Sequence, residues 1–177
     1  MTTTRVAATY ELSDHELRSI RALMDGAFAG SFSDDDWDHT IGGAHVIVEL
    51  DGQLVAHAAV ITPVLDVGGR TLRCGYVEGV ATLPAQERRG FGSLAVREVD
   101  VLIRQGFDLG ALSTHSHTFY ERLGWKRWRG PSYVRGGSRV LRTADEDDGL
   151  MVLLFGNTAS LDLALPITCE ARSGDDW

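Results

Sequence analysis

The order of elements along the chain predicts a mixed α+β (α/β mixed) fold, a mostly antiparallel sheet flanked by helices. Three observations carry that prediction. Two capped helical segments open the chain, Val-, Ile- and Leu-rich segments joined by hairpin turns follow, and strand and helix alternate from residue 83 onward. At 177 residues the expectation is one domain, 1–177, able to bury roughly 70% of its unfolded surface.

The first helix is announced by Ser13-Asp14-His15-Glu16, a capping-box pattern, with Leu17, Ile20, Met24 and Ala27 following at near-helical spacing over about residues 14–28. Ser33 followed by Asp34, Asp35 and Asp36 sets a hydroxyl cap and three carboxylates against the helix dipole, starting a short second helix that ends before Gly42-Gly43. Ala44–Leu50, Gln53–Asp66 and Thr71–Thr82, separated by Asp51-Gly52 and Gly68-Gly69, read as a three-stranded meander. Phe91, Leu94, Ala95, Val99, Leu102 and Ile103 mark one helix face. Phe107–Ser113 is then a strand, Ser116–Leu123 a helix closed by Gly124, and Trp125–Tyr133 and Leu150–Phe155 are strands, with a last extended piece near Leu163–Cys169.

Composition excludes several functions. With 17 basic and 25 acidic residues, the formal charge is −8, and such a chain does not hold polyanions by diffuse charge. Arg122, Lys126, Arg127, Arg129, Arg135, Arg139 and Arg142, interleaved with Trp125, Trp128 and Tyr133, have the composition of an RNA-contacting face. The acidic run from Asp145 supplies partners for them, so no nucleic acid is expected. No apolar run approaches the roughly 20 residues of a membrane helix, and Met1–Leu12 has no signal-peptide core. The expectation is a cytoplasmic protein without a membrane partner, with Cys74 and Cys169 reduced. His115-Ser116-His117 lacks a Cys or carboxylate at ligand spacing, so no metal is expected. Cys74, mid-strand and without an adjacent His, reads as core rather than nucleophile.

The sharpest local motif is Gln86-Glu87-Arg88-Arg89-Gly90-Phe91-Gly92-Ser93-Leu94, between a strand and a helix. Glycines there let backbone N–H groups approach an anion at the positive end of the helix, which suits a phosphate or pyrophosphate. Gly90-x-Gly92-x-x-Ala95 also satisfies the dinucleotide pattern, but Leu83–Arg89 intervene after the strand and the next strand ends in Ser113-Thr114 rather than an acid. No Lys-Ser or Lys-Thr follows the glycines, which excludes a Walker loop.

Cys74-Gly75-Tyr76-Val77-Glu78-Gly79-Val80-Ala81-Thr82, the glycine loop and Phe119-Tyr120-x-x-x-Gly124-Trp125 together resemble the GNAT superfamily of acetyl-CoA-dependent N-acyltransferases. Gly26–Gly30, Asp36-Trp37-x-His39-Thr40-x-Gly42-Gly43, Ala56–Ile61, Leu109–Ser113 and Asp175-x-Trp177 narrow the resemblance to the aminoglycoside 2′-N-acetyltransferases, over nearly the whole chain.

The resemblance implies the GNAT fold, acetyl-CoA as co-substrate, a 2′-amine of an aminoglycoside as acceptor and a homodimer. It implies that the strand bends away from its neighbour near Gly79, that the backbone of Val80, Ala81 and Thr82 holds the pantetheine arm, and that the Val80 amide polarises the acetyl carbonyl. The loop Glu87, Arg88, Arg89, Gly90, Phe91 and Gly92 would wrap the pyrophosphate. Glu87 departs from the Gln or Arg usual in the superfamily, so its side chain should turn outward while Arg88 and Arg89 supply charge. Glu78 would act as general base through water and Tyr120 as general acid toward the departing thiolate. Asp36, Glu78, Ser113 through its carbonyl, Glu146, Asp147, Asp175 and Trp177 would contact the antibiotic. Ser31 stands where relatives carry an acid, and the Ser113–Tyr120 stretch is shortened.

Ten of the 25 acids fall in three clusters: Asp34, Asp35, Asp36 and Asp38; Asp145, Glu146, Asp147 and Asp148; and Asp175 with Asp176. Such clusters match a polycationic partner. Two rival functions remain at this point: acetylation of another small cationic amine or amino sugar, and a non-catalytic binder that keeps the acyl-CoA loop.

Overall fold

The computed structural model describes residues 1–177, which form two units: Met1–Ile61 with Val77–Val101, and Thr62–Tyr76 with Leu102–Trp177. The first unit holds β1 (Thr2–Ala8), α1 (Asp14–Ala27), α2 (Asp34–Thr40), β2 (Ala44–Leu50) and β3 (Gln53–Ile61). Both predicted helix starts are built as capping boxes. The Glu16 amide donates to Ser13 Oγ at 3.3 Å and the Ser13 amide to Glu16 Oε2 at 2.8 Å, while Asp36 and Ser33 exchange the same bonds at 3.0 and 2.7 Å. β1 and β3 flank β2, each antiparallel to it. Ile20, Leu23 and Met24 of α1 pack against Ala7, Leu12, Phe32, Ile47 and Ala81 to form this unit's core.

The second unit holds β4 (Val64–Val67), β6 (Leu109–Ser113), α4 (His117–Glu121), β7 (Lys126–Arg127), β8 (Ser132–Gly136), β9 (Arg139–Arg142), β10 (Leu150–Leu154) and β11 (Ile167–Glu170). Strand β5 (Arg70–Thr82) and helix α3 (Phe91–Gly106) each contribute to both units. β5 runs parallel to β6 through Cys74↔Leu109, Gly75↔Gly110 and Tyr76↔Ala111, where that ladder stops while β5 continues to Thr82. β10 pairs antiparallel with β6 and β7, and β11 lies antiparallel to β4 and parallel to β8. The sheet is therefore mixed and mostly antiparallel, with helices beside it.

Three expectations are revised. Gln53–Asp66 is not one strand: Pro63 has no amide to donate, and the chain breaks into β3 and β4 around it. Trp125–Tyr133 is likewise interrupted at Gly130-Pro131, leaving β7 and the start of β8. Trp125 and Trp128 in that stretch are buried. The Trp128 indole donates to the Leu165 carbonyl at 3.0 Å, and Trp125 packs edge-on to Tyr120. The last extended piece starts at Ile167, directly after Pro166, rather than near Leu163. β1 and β9 were not anticipated. Both are exposed along most of their length, so neither shows an apolar alternation. No helix is long and apolar enough to cross a membrane.

Candidate active site

The C-terminal half of β5 carries Glu78, Val80, Ala81 and Thr82 around a local distortion. Gly79 has φ +54°, a left-handed conformation that costs a side-chain-bearing residue free energy. A Cβ there would also meet Thr40 Cγ2 at 2.8 Å and Oγ1 at 3.0 Å, so glycine is required twice over. This residue lies three positions after the last β5–β6 pair, Tyr76↔Ala111. Glu78 and Val80 are half-buried on either side of it, Thr82 is half-buried and Ala81 buried.

Behind the distortion stands a polar chain that sequence reading missed. His57 Nδ1 lies 2.8 Å from the Gly79 carbonyl oxygen, His57 Nε2 lies 2.9 Å from His45 Nδ1, and His45 Nε2 lies 2.7 Å from Thr9 Oγ1. Both imidazoles are fully buried, and burial lowers their pKa values to about 3 for His57 and about 4 for His45. The only available signal was one histidine inside each of two adjacent apolar strands, β2 and β3.

The glycine loop begins with a 3₁₀ turn at Pro84–Gln86 and leads into α3. Arg88 takes φ +59° and Gly90 φ +87°, and the Leu94 amide donates to Gly90 O at 2.9 Å. The first amides of α3 have no carbonyl within their own helix to bond, which leaves donors for an anion. Glu87 is exposed, as the outward-turned reading requires, and Arg88 and Arg89 are exposed beside it. Arg89 bonds Gln86 Oε1 and lies 5.3 Å over the ring of Phe91, whose side chain is buried and anchors the helix start; Gly92 follows in the first turn.

In the first unit Asp36 spends one carboxylate oxygen on the cap of α2, and Asp34 is paired with Arg21 at 2.9 Å. In the second unit Ser113 is exposed at the end of β6, and Tyr120 is buried, edge-on to Phe119 and Trp125 at 4.9 and 6.0 Å. Asp147 is heavily engaged. Its Oδ1 accepts from the Ser132 amide at 2.9 Å, Ser132 Oγ at 2.7 Å and Arg142 Nη1 at 2.8 Å, while Oδ2 pairs with Arg142 Nη2. The Arg142 guanidinium and the Ser132 bonds hold the Asp147 carboxyl down at about 2. This pairing of a late arginine with the acidic run is the one the sequence suggested. Glu146 behaves oppositely: burial first, then the nearby carboxylates Asp175, Asp145 and Asp176, push its pKa up, against a smaller opposing pull from His115. The late loop and the C-terminus thus meet. Trp177 is buried, its indole donating to Thr143 Oγ1 at 3.1 Å, and the Asp175 carbonyl accepts from Arg172 Nε at 3.0 Å.

Cys74 and Cys169 are free and buried. Burial pushes both thiols up, Cys169 to about 12 and Cys74 further, so neither is a nucleophile near neutral pH.

A family model described as an acetyltransferase (GNAT) domain matches residues 9–128. The aminoglycoside 2′-N-acetyltransferase of Mycolicibacterium fortuitum is 38% identical over 99% of this chain and 92% of its own. A GNAT family N-acetyltransferase from Escherichia coli, solved with CoA, superposes with TM-score 0.67 at 17% identity, over 95% of this chain and 89% of that one. A Brucella melitensis GNAT acetyltransferase solved with acetyl-CoA gives 0.60 at 19% identity, over 88% and 90%. Three larger chains at 19–23% identity share the fold, and this chain spans 33–34% of their length.

Proposed function

Because this chain belongs to the GNAT acetyltransferases, and within them to the aminoglycoside 2′-N-acetyltransferase family, we propose that it moves the acetyl group of acetyl-CoA to the 2′-amine of an aminoglycoside by direct attack. The observation that carries the substrate class is the cluster of Glu146 with Asp175, Asp145 and Asp176, where burial first and these neighbouring carboxylates second raise the Glu146 pKa. A site that holds its own carboxylates in mutual repulsion gains free energy when a polycation enters, because each ammonium group relieves that repulsion.

The chemistry divides between groups already described. An aminoglycoside amine is mostly protonated at neutral pH, so a base must free its lone pair; Glu78 takes that proton through water, a contribution of roughly 10² to 10⁴ in rate. The amine then attacks the thioester carbon while the Val80 amide holds the carbonyl oxygen as it gains charge. The C–S bond breaks, Tyr120 gives its proton to the sulfur, and the surplus proton on the new amide nitrogen returns through water to the Tyr120 oxygen, leaving amide, free thiol and a restored phenol. Val80, Ala81 and Thr82 hold the pantetheine arm, and the loop from Glu87 to Gly92 receives the pyrophosphate. Asp36, Ser113, Glu146, Asp175 and Trp177 meet the antibiotic. Asp147, neutralised by Arg142, enters this reading as the brace that holds the late loop to β8 more than as an ammonium ligand.

A homodimer belongs to the same proposal, with the exposed Val140 and Leu141 of edge strand β9 as its candidate surface, and so does a cytoplasmic location, where acetyl-CoA is available. Thiol release from acetyl-CoA with two aminoglycosides differing only at position 2′ tests the reaction. Turnover with the 2′-amine and none with the 2′-hydroxyl is expected. Equal turnover would move the acceptor to another amine, and binding without turnover would make the protein a sensor.

A further inference from the structure

The chain Thr9, His45, His57, Gly79 has a fixed direction. A carbonyl oxygen only accepts, so the hydrogen between His57 and Gly79 sits on His57 Nδ1. Burial keeps both imidazoles neutral, and a neutral imidazole has one N–H. His57 Nε2 therefore accepts from His45 Nδ1, and His45 Nε2 in turn accepts. The Thr9 hydroxyl has two acceptors in reach, His45 Nε2 at 2.7 Å and Gly43 O at 3.2 Å. The shorter bond satisfies a nitrogen buried away from water. Thr9 Oγ1 then accepts from the Gly42 amide at 2.8 Å, so a single pair of tautomers completes every bond and all the donors point toward Gly79.

The peptide group at the end of this chain consists of the Gly79 carbonyl and the Val80 N–H. No peptide bond in the chain is cis, and in a trans peptide these two groups point in opposite directions. A donor fixed on the carbonyl thus aims the N–H away from His57. It also draws electron density toward the oxygen, which makes the amide hydrogen a stronger donor, as in any aligned run of hydrogen bonds. Thr40 Cγ2 and Oγ1 stand 2.8 and 3.0 Å from where a Gly79 Cβ would sit, which limits movement of the same peptide plane.

We propose that His57, with His45 and Thr9 behind it, is a positioning relay that orients and polarises the Val80 amide toward the acetyl carbonyl. The proposal rests on the reading of Val80 as the oxyanion donor, and the test separates the two. Isotope-edited infrared spectroscopy of [1-¹³C]acetyl-CoA bound to the whole protein without amine reads the hydrogen bond on the carbonyl, and steady-state kinetics read kcat apart from the acetyl-CoA KM.

The wild-type band should fall below that of free acetyl-CoA. His57→Leu removes the donor and should return the band toward the free value, lowering kcat by up to about 10² with the acetyl-CoA KM little changed. His57→Asn, which keeps a donor near the Nδ1 position, should restore most of both. Thr9→Val, on a half-exposed residue, should shift the band slightly and cost a few-fold in kcat. An unshifted wild-type band overturns the Val80 reading and the relay with it. A shifted wild-type band that persists in folded His57→Leu, even with lowered thermal stability, overturns the relay alone. If His57→Leu does not fold, Thr9→Val decides: a partial shift supports the relay, and a band and kcat equal to wild type overturn it.

Discussion

The two units use polar groups in opposite ways. In the first, two imidazoles are removed from water, held neutral and confined to one tautomer, and they act through the direction of a hydrogen bond. In the second, Glu146, Asp145, Asp175 and Asp176 stay partly hydrated and repel one another, and the part proposed for them comes from charge. Burial is what separates the cases. A neutral group completed by hydrogen bonds tolerates a dry interior, whereas clustered carboxylates need water or a cation. Orientation is thus assigned to the interior and attraction to the surface.

The largest expected effect falls at the junction of base and strand distortion. Glu78→Gln should lower kcat by roughly 10² to 10⁴ with thermal stability nearly unchanged, read by CoA release. Gly79→Ala should lose both activity and stability, about 1–3 kcal/mol in urea unfolding, because φ +54° and the contact with Thr40 both oppose a Cβ. An unperturbed Gly79→Ala would show that the distortion is soft and would weaken the contrast between a rigid unit and a charged one.

pH sharpens the comparison. The folded pKa values of His45 and His57 lie below the unfolded value of 6.5, so the unfolded chain binds protons first as pH falls. Stability should be full above about 6.5 and decline below it, to about 4 for His45 and about 3 for His57, with each histidine contributing roughly 1.4 kcal/mol per pH unit over its own window. Chemical denaturation at pH 7 and pH 5 checks the sign. Glu146 is the reverse case, with a folded pKa raised by burial and by its carboxylate neighbours. Glu146→Gln should therefore leave stability at pH 7 unchanged or slightly higher. It should raise the aminoglycoside KM about tenfold, with the acetyl-CoA KM unmoved and the salt dependence of the amine KM reduced. A fall in kcat without a change in KM would place Glu146 in the chemistry rather than in capture.

Much of the fold was legible because its signals are local. Both capping boxes, the Asp51-Gly52 and Gly68-Gly69 turns and the apolar face of α3 each announce an element within a few residues. β1 and β9 escaped notice because an exposed edge strand is held by its neighbour's backbone rather than by side-chain burial. Pro63 and Pro131 broke strands whose composition alone looked continuous. In the site, Glu78 and the glycine loop were legible as contiguous motifs. The relay was not, because Thr9, His45, His57 and Gly79 come together only through the packing of separate elements. Asp147 looked like any other member of its acidic run until Arg142 and Ser132 were found on its carboxylate.

The two cysteines acquire significance beside the reaction. Each turnover proposed here sets free one molecule of a reactive thiol, the reduced coenzyme, in a protein whose own thiols are buried and held protonated. Mixed disulfides with the accumulating product require a protein thiolate that these side chains do not present. Such an enzyme can run under mildly oxidising conditions without capping itself, and a colorimetric thiol reagent added to a working assay counts product with almost no background from the folded protein.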